Sequence, residues 1–367
     1  MKNLAKILRV NKKKFVLFIS IYSFFFVSLT LIFQFQLKQE KADLLLFGKT
    51  ADENDKTSLV SFIPLLSLES IFSKNNYFVE KLPPEETITL ITTGDIIPAR
   101  TVNFKMAQYN NFPYPFEKTA EFLKTSNLTL INLEAPLIKN CPLTNTGMIF
   151  CGDKRFVEGL IYADIDIVNL ANNHALNYGI EGVNQTINLL NKNKILFTGF
   201  PINELTVKKI KDNKLGFLGW NLLNDFSEIE VLDTIKKAKE KVDLLIVSLH
   251  WGAEYEYYPS PWQKDLAHKI INQGADLIVG NHAHRIQPIE IYKNKLIIYA
   301  HGNFIFDQEW SQETKTGFIT KIVFYQSKIV GLEVLPVFIS DFSQPAFLEG
   351  EKKEQVINKL KEISLSF

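Results

Sequence analysis

The stretch "ADLIVGNHAHRI", residues 275–286, joins a short apolar run of strand length to two histidines, His282 and His284. If the chain stays extended there, side chains two positions apart point to the same face, so both rings can face one site. The whole chain contains only 6 histidines in 367 residues. The pair is therefore either a detail of local packing or half of a metal site, and the rest of the chain has to decide between the two.

Four other short apolar runs end in polar residues of the same kind: "TITLITTGD", "LTLINLEAP", "IDIVNLANNH" and "DLLIVSLHWG". Segments with helical spacing lie between several of them, and strands that alternate with helices predict an α/β core. Ligand sites in such sheets collect at the carboxyl ends of the strands. We therefore expect one sheet edge to gather a shared set of side chains: Asp95, Glu134, Asn173, His174, His250, His282 and His284.

After residue 285 the alternation fades into segments typical of hairpins, with turns at residues 293–294 and 326–328. Hairpins add antiparallel pairs to the parallel ones. The predicted fold class is therefore α/β with mixed sheets.

The shared side chains offer carboxylate, amide and imidazole donors, which are the ligands of Zn²⁺, Mn²⁺ and Fe²⁺. A carboxylate can bridge two ions, and an imidazole left off the metal can donate a proton to a leaving group. Each residue alone has a bland explanation as a turn former, a cap or a core histidine. Together they would need coincidences at several strand ends, so we predict one or two divalent ions of the Mn, Fe or Zn class. His268 lies at helical spacing and receives no role, and His301 stays outside the ligand set.

The N-terminus predicts a membrane anchor. Basic residues within positions 1–14 precede "FVLFISIYSFFFVSLTLIF", residues 15–33, and no charge appears before residue 38. A helix of about 20 apolar residues spans a bilayer, and the basic flank stays in the cytoplasm. A cleaved signal peptide is the alternative, but its apolar core would be shorter and no A-x-A-like site follows. We expect a single-pass cell-membrane protein with a cytoplasmic N-terminus (1–14), an uncleaved signal anchor (15–35) and an extracytoplasmic main domain.

The remaining chain divides at "KLPPEE", residues 81–86, because consecutive prolines punctuate a chain. This predicts a juxtamembrane connector over 36–86, a main domain over 87–345 and a helical C-terminal tail over 346–367. The net charge of +1 gives no electrostatic reason to expect a nucleic-acid partner. Outside the cytoplasm, Cys141 and Cys151 are candidates for a loop-closing disulfide, and two free thiols are the alternative.

Several motifs together resemble the CapA family of bacterial capsule and poly-γ-glutamate biosynthesis. They are "GDIIPAR", "NLEAPL", "NLANNHALNYG", "VSLHWGAEYEYYPSPWQ", "GADLIVGNHAHRIQPIEIY" and "HGNFIFDQ", in order over about residues 87–340. Each motif is weak alone, but the ordered set is specific. The family is similar in fold to calcineurin-like metallophosphoesterases, so the resemblance implies a four-layer α/β/β/α sandwich with metals at the strand ends.

The resemblance also implies roles for the shared side chains. Asp95 and His284 would bind a first metal, Glu134 would bridge, and His174 would be the general acid near the leaving group. The second metal would be bound by Asn173, His250 and His282. The wider superfamily has Asp-x-His in its first motif, whereas this chain has Ile97 at the position of that histidine, which leaves the first metal one protein ligand short.

The function expected from these features is synthesis, export or anchoring of an anionic, poly-γ-glutamate-like surface polymer alongside membrane synthase proteins, with a metallophosphoesterase-like hydrolase site. The alternatives are a non-catalytic, metal-containing assembly factor that binds the polymer, and a metal-dependent phosphodiesterase or phosphatase. Arg100 and Arg285 are candidates for holding a carboxylate or phosphate of the substrate, and a surface salt bridge is the alternative for either side chain. Glu254 is a further candidate, either at the substrate or as a partner that orients a ligand histidine.

Overall fold

The structure is a computed structural model that describes residues 66–72, 79, 81–201 and 203–367. These residues fall within one compact unit, Pro64–Phe367. The predicted cytoplasmic segment (1–14) and signal anchor (15–35) lie outside the described residues, as does most of the predicted connector (36–86). Within the described ranges, no helix is both long and apolar enough to cross a membrane.

The larger sheet has eight strands. Its parallel part consists of β1 (Thr87–Ile96), β2 (Leu128–Leu133), β5 (Ile167–Asn169) and β6 (Leu196–Thr198), with β13 (Asn303–Ile305) also parallel to β1. Its antiparallel part continues from β1 through β14 (Thr316–Tyr325), β15 (Lys328–Ser340) and β16 (Gln344–Phe347). A separate two-stranded sheet joins β3 (Leu137–Ile138) to β4 (Gly152–Asp153).

The second large sheet has six strands. Parallel pairs join β8 (Asn213–Asn221), β9 (Leu244–His250), β10 (Leu277–Asn281) and β12 (Lys295–Ile298). Antiparallel hairpins add β7 (Thr206–Ile210) and β11 (Ile289–Tyr292) at the two edges. Mixed pairing in both large sheets confirms the predicted α/β class with mixed sheets.

Most helices in the described part of the chain pack on the outer faces of the sheets, whereas the first and the last pack against the core between the sheets. In chain order they are α1 (Leu68–Ile71), α2 (Thr101–Tyr109), α3 (Ala120–Leu123), α4 (Phe156–Tyr162), α5 (Gly179–Lys192), α6 (Glu228–Lys239), α7 (Pro261–Asn272), α8 (Gln312–Lys315) and α9 (Gly350–Leu365). The last helix lies in the segment predicted as a helical tail, and its Leu360 and Ile363 are buried in the core between the sheets.

Three apolar cores separate these layers. Alternate residues of a strand face opposite sides of a sheet, and β1 shows this directly: Leu90 packs between the sheets with Ile246 of β9, whereas Ile91 packs outward against Met106 of α2. On the far side, Leu245 of β9 packs against α6 and α7. The layers therefore run helix, sheet, sheet, helix, and the carboxyl ends of β1, β2, β5, β9 and β10 approach one another.

Candidate metal centre

Strand ends from both large sheets bring the predicted ligands together. Asp95 lies in β1, Glu134 follows β2, and His250 ends β9. His250 Nε2 lies 3.5 Å from Glu134 Oε1, and His284 Nδ1 lies 3.1 Å from Asp95 Oδ2. The expectation of a single sheet edge is therefore wrong: two stacked sheets share the site, because the chain moves to the second sheet at β7 before it reaches the histidine-bearing strands.

The donor atoms form two overlapping groups. Glu134, His282 and His284 make one, and Asp95, Glu134 and His250 make the other, with the atoms of each group within 4.8 Å of one another. All five residues are buried, and Glu134 belongs to both groups. This shared position supports the bridging role that the resemblance implies for Glu134.

Asn173 also lies in this centre, because its Oδ1 is 2.8 Å from His250 Nε2. The next residue, His174, is only 8% exposed and stacks on Phe150 with 4.2 Å between ring centroids. Burial lowers the pKa of His174, which favours the neutral ring at neutral pH.

The two histidines of the opening stretch are brought together by a turn and not by an extended strand. β10 ends at Asn281, and His282 and His284 have φ values of +96° and +53°. The expectation that they share a face of an extended chain is therefore wrong, although their rings still lie 5.9 Å apart. Positive φ at residues other than glycine is costly and persists where the surroundings hold it. Here the His282 N–H donates to Asp95 Oδ2 at 3.3 Å.

Two asparagines that sequence reasoning missed hydrogen-bond to the candidate ligands. Asn132 Nδ2 lies 2.8 Å from Asp95 Oδ1 and 3.3 Å from Glu134 Oε2. Asn303 Oδ1 lies 2.9 Å from His284 Nδ1. Asn132 lies near the end of β2 and Glu134 directly follows that strand. Residues two positions apart in an extended chain point to the same side, and that spacing was the available signal.

Burial and charge set the protonation of the cluster. Burial lowers the pKa of His250 to about 3, and burial with the neighbouring His250 lowers the pKa of His282 to about 3. Although burial opposes it, the hydrogen bond to Asp95 and the charge of Glu134 raise the pKa of His284 to about 9. The same bond holds the pKa of Asp95 below its usual range against the effect of burial, whereas burial and nearby Asp95 raise the pKa of Glu134.

The donor set fits a divalent metal ion. Glu134 Oε1 and His282 Nδ1 are buried without a hydrogen-bond partner. Such atoms are rare in folded proteins because each loses the full free energy of its hydration. A cation would give both atoms a partner and would offset the buried negative charge of Asp95 and Glu134.

The resemblance places Ile97 where the wider superfamily would have a metal-binding histidine. Ile97 is fully buried in an apolar cluster with Ala99, Ala135, Phe150 and Phe306. The side chain therefore serves packing, and this position adds no donor to the Asp95 side of the centre.

The candidate substrate-binding residues differ in the contacts that their side chains make. The Arg100 guanidinium is paired with Asp307, and its Nη1 also donates to the Gly147 carbonyl at 3.2 Å. Arg285 Nη1 donates to the Tyr255 carbonyl at 2.9 Å, while its buried Nε has no partner. Glu254 lies close enough to affect the pKa of His282 and His284 by its charge.

The other histidines and the cysteines lie outside the ligand groups. His268 lies on α7, and its Nε2 is 2.8 Å from Glu290 Oε1 of β11. His301 Nε2 is 2.8 Å from Thr92 Oγ1 in β1, and its Nδ1 is 3.4 Å from the Gly280 carbonyl in β10, so this ring links the two large sheets. Cys141 and Cys151 are joined by a disulfide.

Two relatives align with most of this chain. It is 28% identical over 354 residues to the capsule biosynthesis protein CapA of Bacillus anthracis, covering 88% of this chain and 85% of that one. It is 27% identical over 303 residues to the PGA biosynthesis protein CapA of Bacillus subtilis (strain 168), covering 75% and 78% of the two chains.

Similarity to solved structures is weaker. A crystal structure described as a novel phosphatase from Mycoplasma pneumoniae is 13% identical, with a TM-score of 0.48, and covers 71% of this chain and 95% of that one. This level of similarity is too low to assign an activity.

The model of one protein family matches the segment that runs from within β1 to beyond β13 and contains every candidate ligand described above. That family is the bacterial capsule synthesis protein PGA_cap, and the match spans residues 89–308. Because the match covers more than half of the chain, this protein belongs to the PGA_cap family of bacterial capsule synthesis proteins.

Proposed function

We propose that this chain is a membrane-anchored, extracytoplasmic protein of capsule or poly-γ-glutamate-type polymer metabolism, with a metal-dependent hydrolytic centre that acts on the polymer or its linkage. Membership of the PGA_cap family supports the part of this proposal that concerns the capsule or poly-γ-glutamate-type polymer. The observation that carries the hydrolytic part is the buried convergence of Asp95, Glu134, His250, His282 and His284 with two donor atoms left unpartnered.

The ion would be held by these five residues together with Asn173. When bound, a divalent ion supplies Lewis-acid polarisation and lowers the pKa of a water molecule. The chain itself supplies the proton transfer: His174 lies beside Asn173 and outside the ligand groups, so its ring is available to move a proton at the leaving group. Asn132 Nδ2 contacts one carboxylate oxygen of Asp95 and one of Glu134. These contacts orient both carboxylates and leave the second oxygen of each for the ion.

Arg285 is our candidate for holding a carboxylate of the polymer. It directly follows His284, and its guanidinium carbon lies 4.8 Å from the centre of the Tyr257 ring. Its buried Nε without a partner leaves a charged donor for an anion. Arg100 already has Asp307 as a partner, so it is the weaker candidate for the same role.

A second candidate function is non-catalytic binding of the polymer, and Ile97 favours it. Since this fully buried side chain offers no donor, the Asp95 side of the centre is poor in ligands compared with an Asp-x-His motif. A centre that holds a single ion can organise an anionic chain without cleaving it.

The full-length chain, purified in detergent, tests both functions. Bound metal is measured after supplementation with Zn²⁺ or Mn²⁺, and turnover is followed on a chromogenic phosphodiester and on poly-γ-glutamate. Wild type and a His268→Ala control should bind metal and cleave one substrate, and His250→Ala should do neither. Metal binding without turnover would support the binding role, and a wild type that binds no metal would contradict the proposed centre.

A further inference from the structure

The loop closed by the Cys141–Cys151 disulfide lies against His174. The cysteine Cα atoms are 5.9 Å apart, so the ends of the loop are held together. Phe150, the residue before Cys151, is buried at 1% exposure. The loop therefore carries an aromatic ring inward, directly beside the disulfide.

Asn177 links this loop to His174 through one oxygen atom. Asn177 Oδ1 accepts from the Phe150 backbone N–H at 2.6 Å and lies 2.9 Å from His174 Nδ1. A backbone N–H only donates, so the Asn177 atom that faces it is the carbonyl oxygen. That oxygen cannot donate to the ring, and Nδ1 must therefore carry the proton. In the neutral ring this leaves Nε2 as the nitrogen that exchanges a proton with a substrate.

Stacking fixes the plane of the same ring. The Phe150 and His174 rings lie 4.2 Å apart at an angle of 30°. Phe150 in turn packs in the apolar cluster that contains Ile97 and Phe306. A ring held by a buried cluster on one face and by a hydrogen bond at Nδ1 has little freedom to rotate.

Arg100 gives the loop a second attachment. Its Nη1 donates to the Gly147 carbonyl at 3.2 Å, and its guanidinium carbon lies 4.9 Å from the centre of the Phe150 ring. Asp307 pairs with the same guanidinium and holds it in place. The disulfide and Arg100 thus fix the loop on both sides of the residue that touches His174.

We propose that the disulfide-closed loop 141–151 is a positioning element for His174, in which Phe150 fixes the plane of the ring and Asn177 fixes the Nδ1–H tautomer. The inference rests on the proposed function, because it assigns His174 the proton transfer of that centre. Phe150 and Asn177 are positioning residues, since they act through His174.

The tautomer is measured directly in the full-length chain labelled with ¹⁵N-histidine. Two-bond ¹H–¹⁵N spectra distinguish a neutral ring that is protonated at Nδ1 from one protonated at Nε2, and a His174→Gln sample assigns the signal. We expect Nδ1–H in wild type and in Asn177→Asp, which keeps an acceptor. In Asn177→Leu we expect mainly Nε2–H, because the acceptor is lost. An Nε2–H ring in wild type, or no change in Asn177→Leu, would overturn the proposal.

The contribution of the loop is tested with matched pairs. Phe150→Leu and the double variant Cys141→Ser/Cys151→Ser should broaden or shift the His174 signal toward a mixture of tautomers. Ile149→Ser, which changes the adjacent residue that is 67% exposed, should leave that signal unchanged. Equal spectra for the double variant and wild type would remove the disulfide from the positioning element and contradict the proposal.

Activity gives a second, separable measurement. If the chain hydrolyses the chromogenic phosphodiester, Asn177→Leu should lower kcat by about 10- to 100-fold at unchanged KM, since an oriented acid–base group contributes about 10²–10⁴. Asn177→Asp should lose much less. Unchanged kcat in Asn177→Leu would contradict the proposal. If neither the wild type nor any variant hydrolyses the substrate, the proposed hydrolytic function is contradicted. The tautomer measurement then still decides whether the loop positions His174.

Discussion

Asn132 donates a hydrogen bond of 2.8 Å to Asp95 across two neighbouring parallel strands of the larger sheet. The same nitrogen lies 3.3 Å from Glu134, so one neutral amide holds two carboxylates. Asn132 Oδ1 in turn accepts from Asn169 and Asn172, at 3.1 and 3.3 Å. Because the amide brings no charge, it orients the carboxylates and leaves their negative charge for a cation.

Replacing Asn132 with alanine should weaken metal binding by about 10- to 100-fold, which is the usual effect of losing a partner that orients metal ligands. Competition with a chromogenic chelator measures the change. Asn127→Ala is the matched control. This exposed asparagine directly precedes β2, accepts a hydrogen bond from Thr89 near the start of β1, and contacts none of the candidate ligands. Equal affinities for the two variants would contradict the role of Asn132.

Metal should stabilise the folded protein, and the effect should depend on the site histidines. An ion that binds only the folded state at 100 times its Kd adds about 2.7 kcal/mol. We therefore expect a chelator to lower the Tm of wild type and of His268→Ala, and to leave the Tm of His250→Ala and His282→Ala unchanged. Differential scanning fluorimetry with and without Zn²⁺ measures these shifts. A chelator effect that persists in His250→Ala would place the ion elsewhere.

The strands were predictable from the sequence because their period and endings are local properties. Apolar runs such as "DLLIV" and "ADLIV" became β9 and β10, and polar residues followed where expected. The hairpin turns also agree, with Lys293 and Asn294 at φ values of +49° and +61° between β11 and β12.

The division of those strands between two sheets was not predictable, since it depends on contacts distant in the chain. Nothing near His250 indicates that β9 pairs with β8 while Glu134 follows a strand of the other sheet. The turn at His282 was missed for a related reason. Positive φ there is held by surroundings such as Asp95, which is 187 positions away.

The predicted anchor at residues 15–35 has a direct test. A reporter enzyme that works only outside the cytoplasm should be active when fused after Phe367, because the basic N-terminal flank favours a cytoplasmic N-terminus. Deleting residues 15–35 should silence it, and a fusion before Met1 should also be silent. An active reporter on the deletion variant, or a silent one on the full chain, would contradict the predicted orientation.

Metal binding should release at least one proton near neutral pH. The bond to Asp95 and the charge of Glu134 raise the pKa of His284 to about 9, so the metal-free ring is protonated at pH 7 and an ion must displace that proton. His250 and His282, with pKa values lowered to about 3 by burial, are already neutral and release none. Glu134 adds to the release wherever the pH lies below its raised pKa.

The sign of the pH dependence follows from these protons. Affinity should rise with pH, by about tenfold per unit for each proton released, and the contribution of His284 should end above about pH 9. Zinc affinity measured between pH 6.5 and 8.5 in chelator-buffered solutions gives the slope, and calorimetry in buffers of different ionisation enthalpy counts the protons independently. An affinity that does not change over this range would show that His284 is neutral before the metal arrives, and the ion pair with Asp95 would then be absent from the metal-free protein.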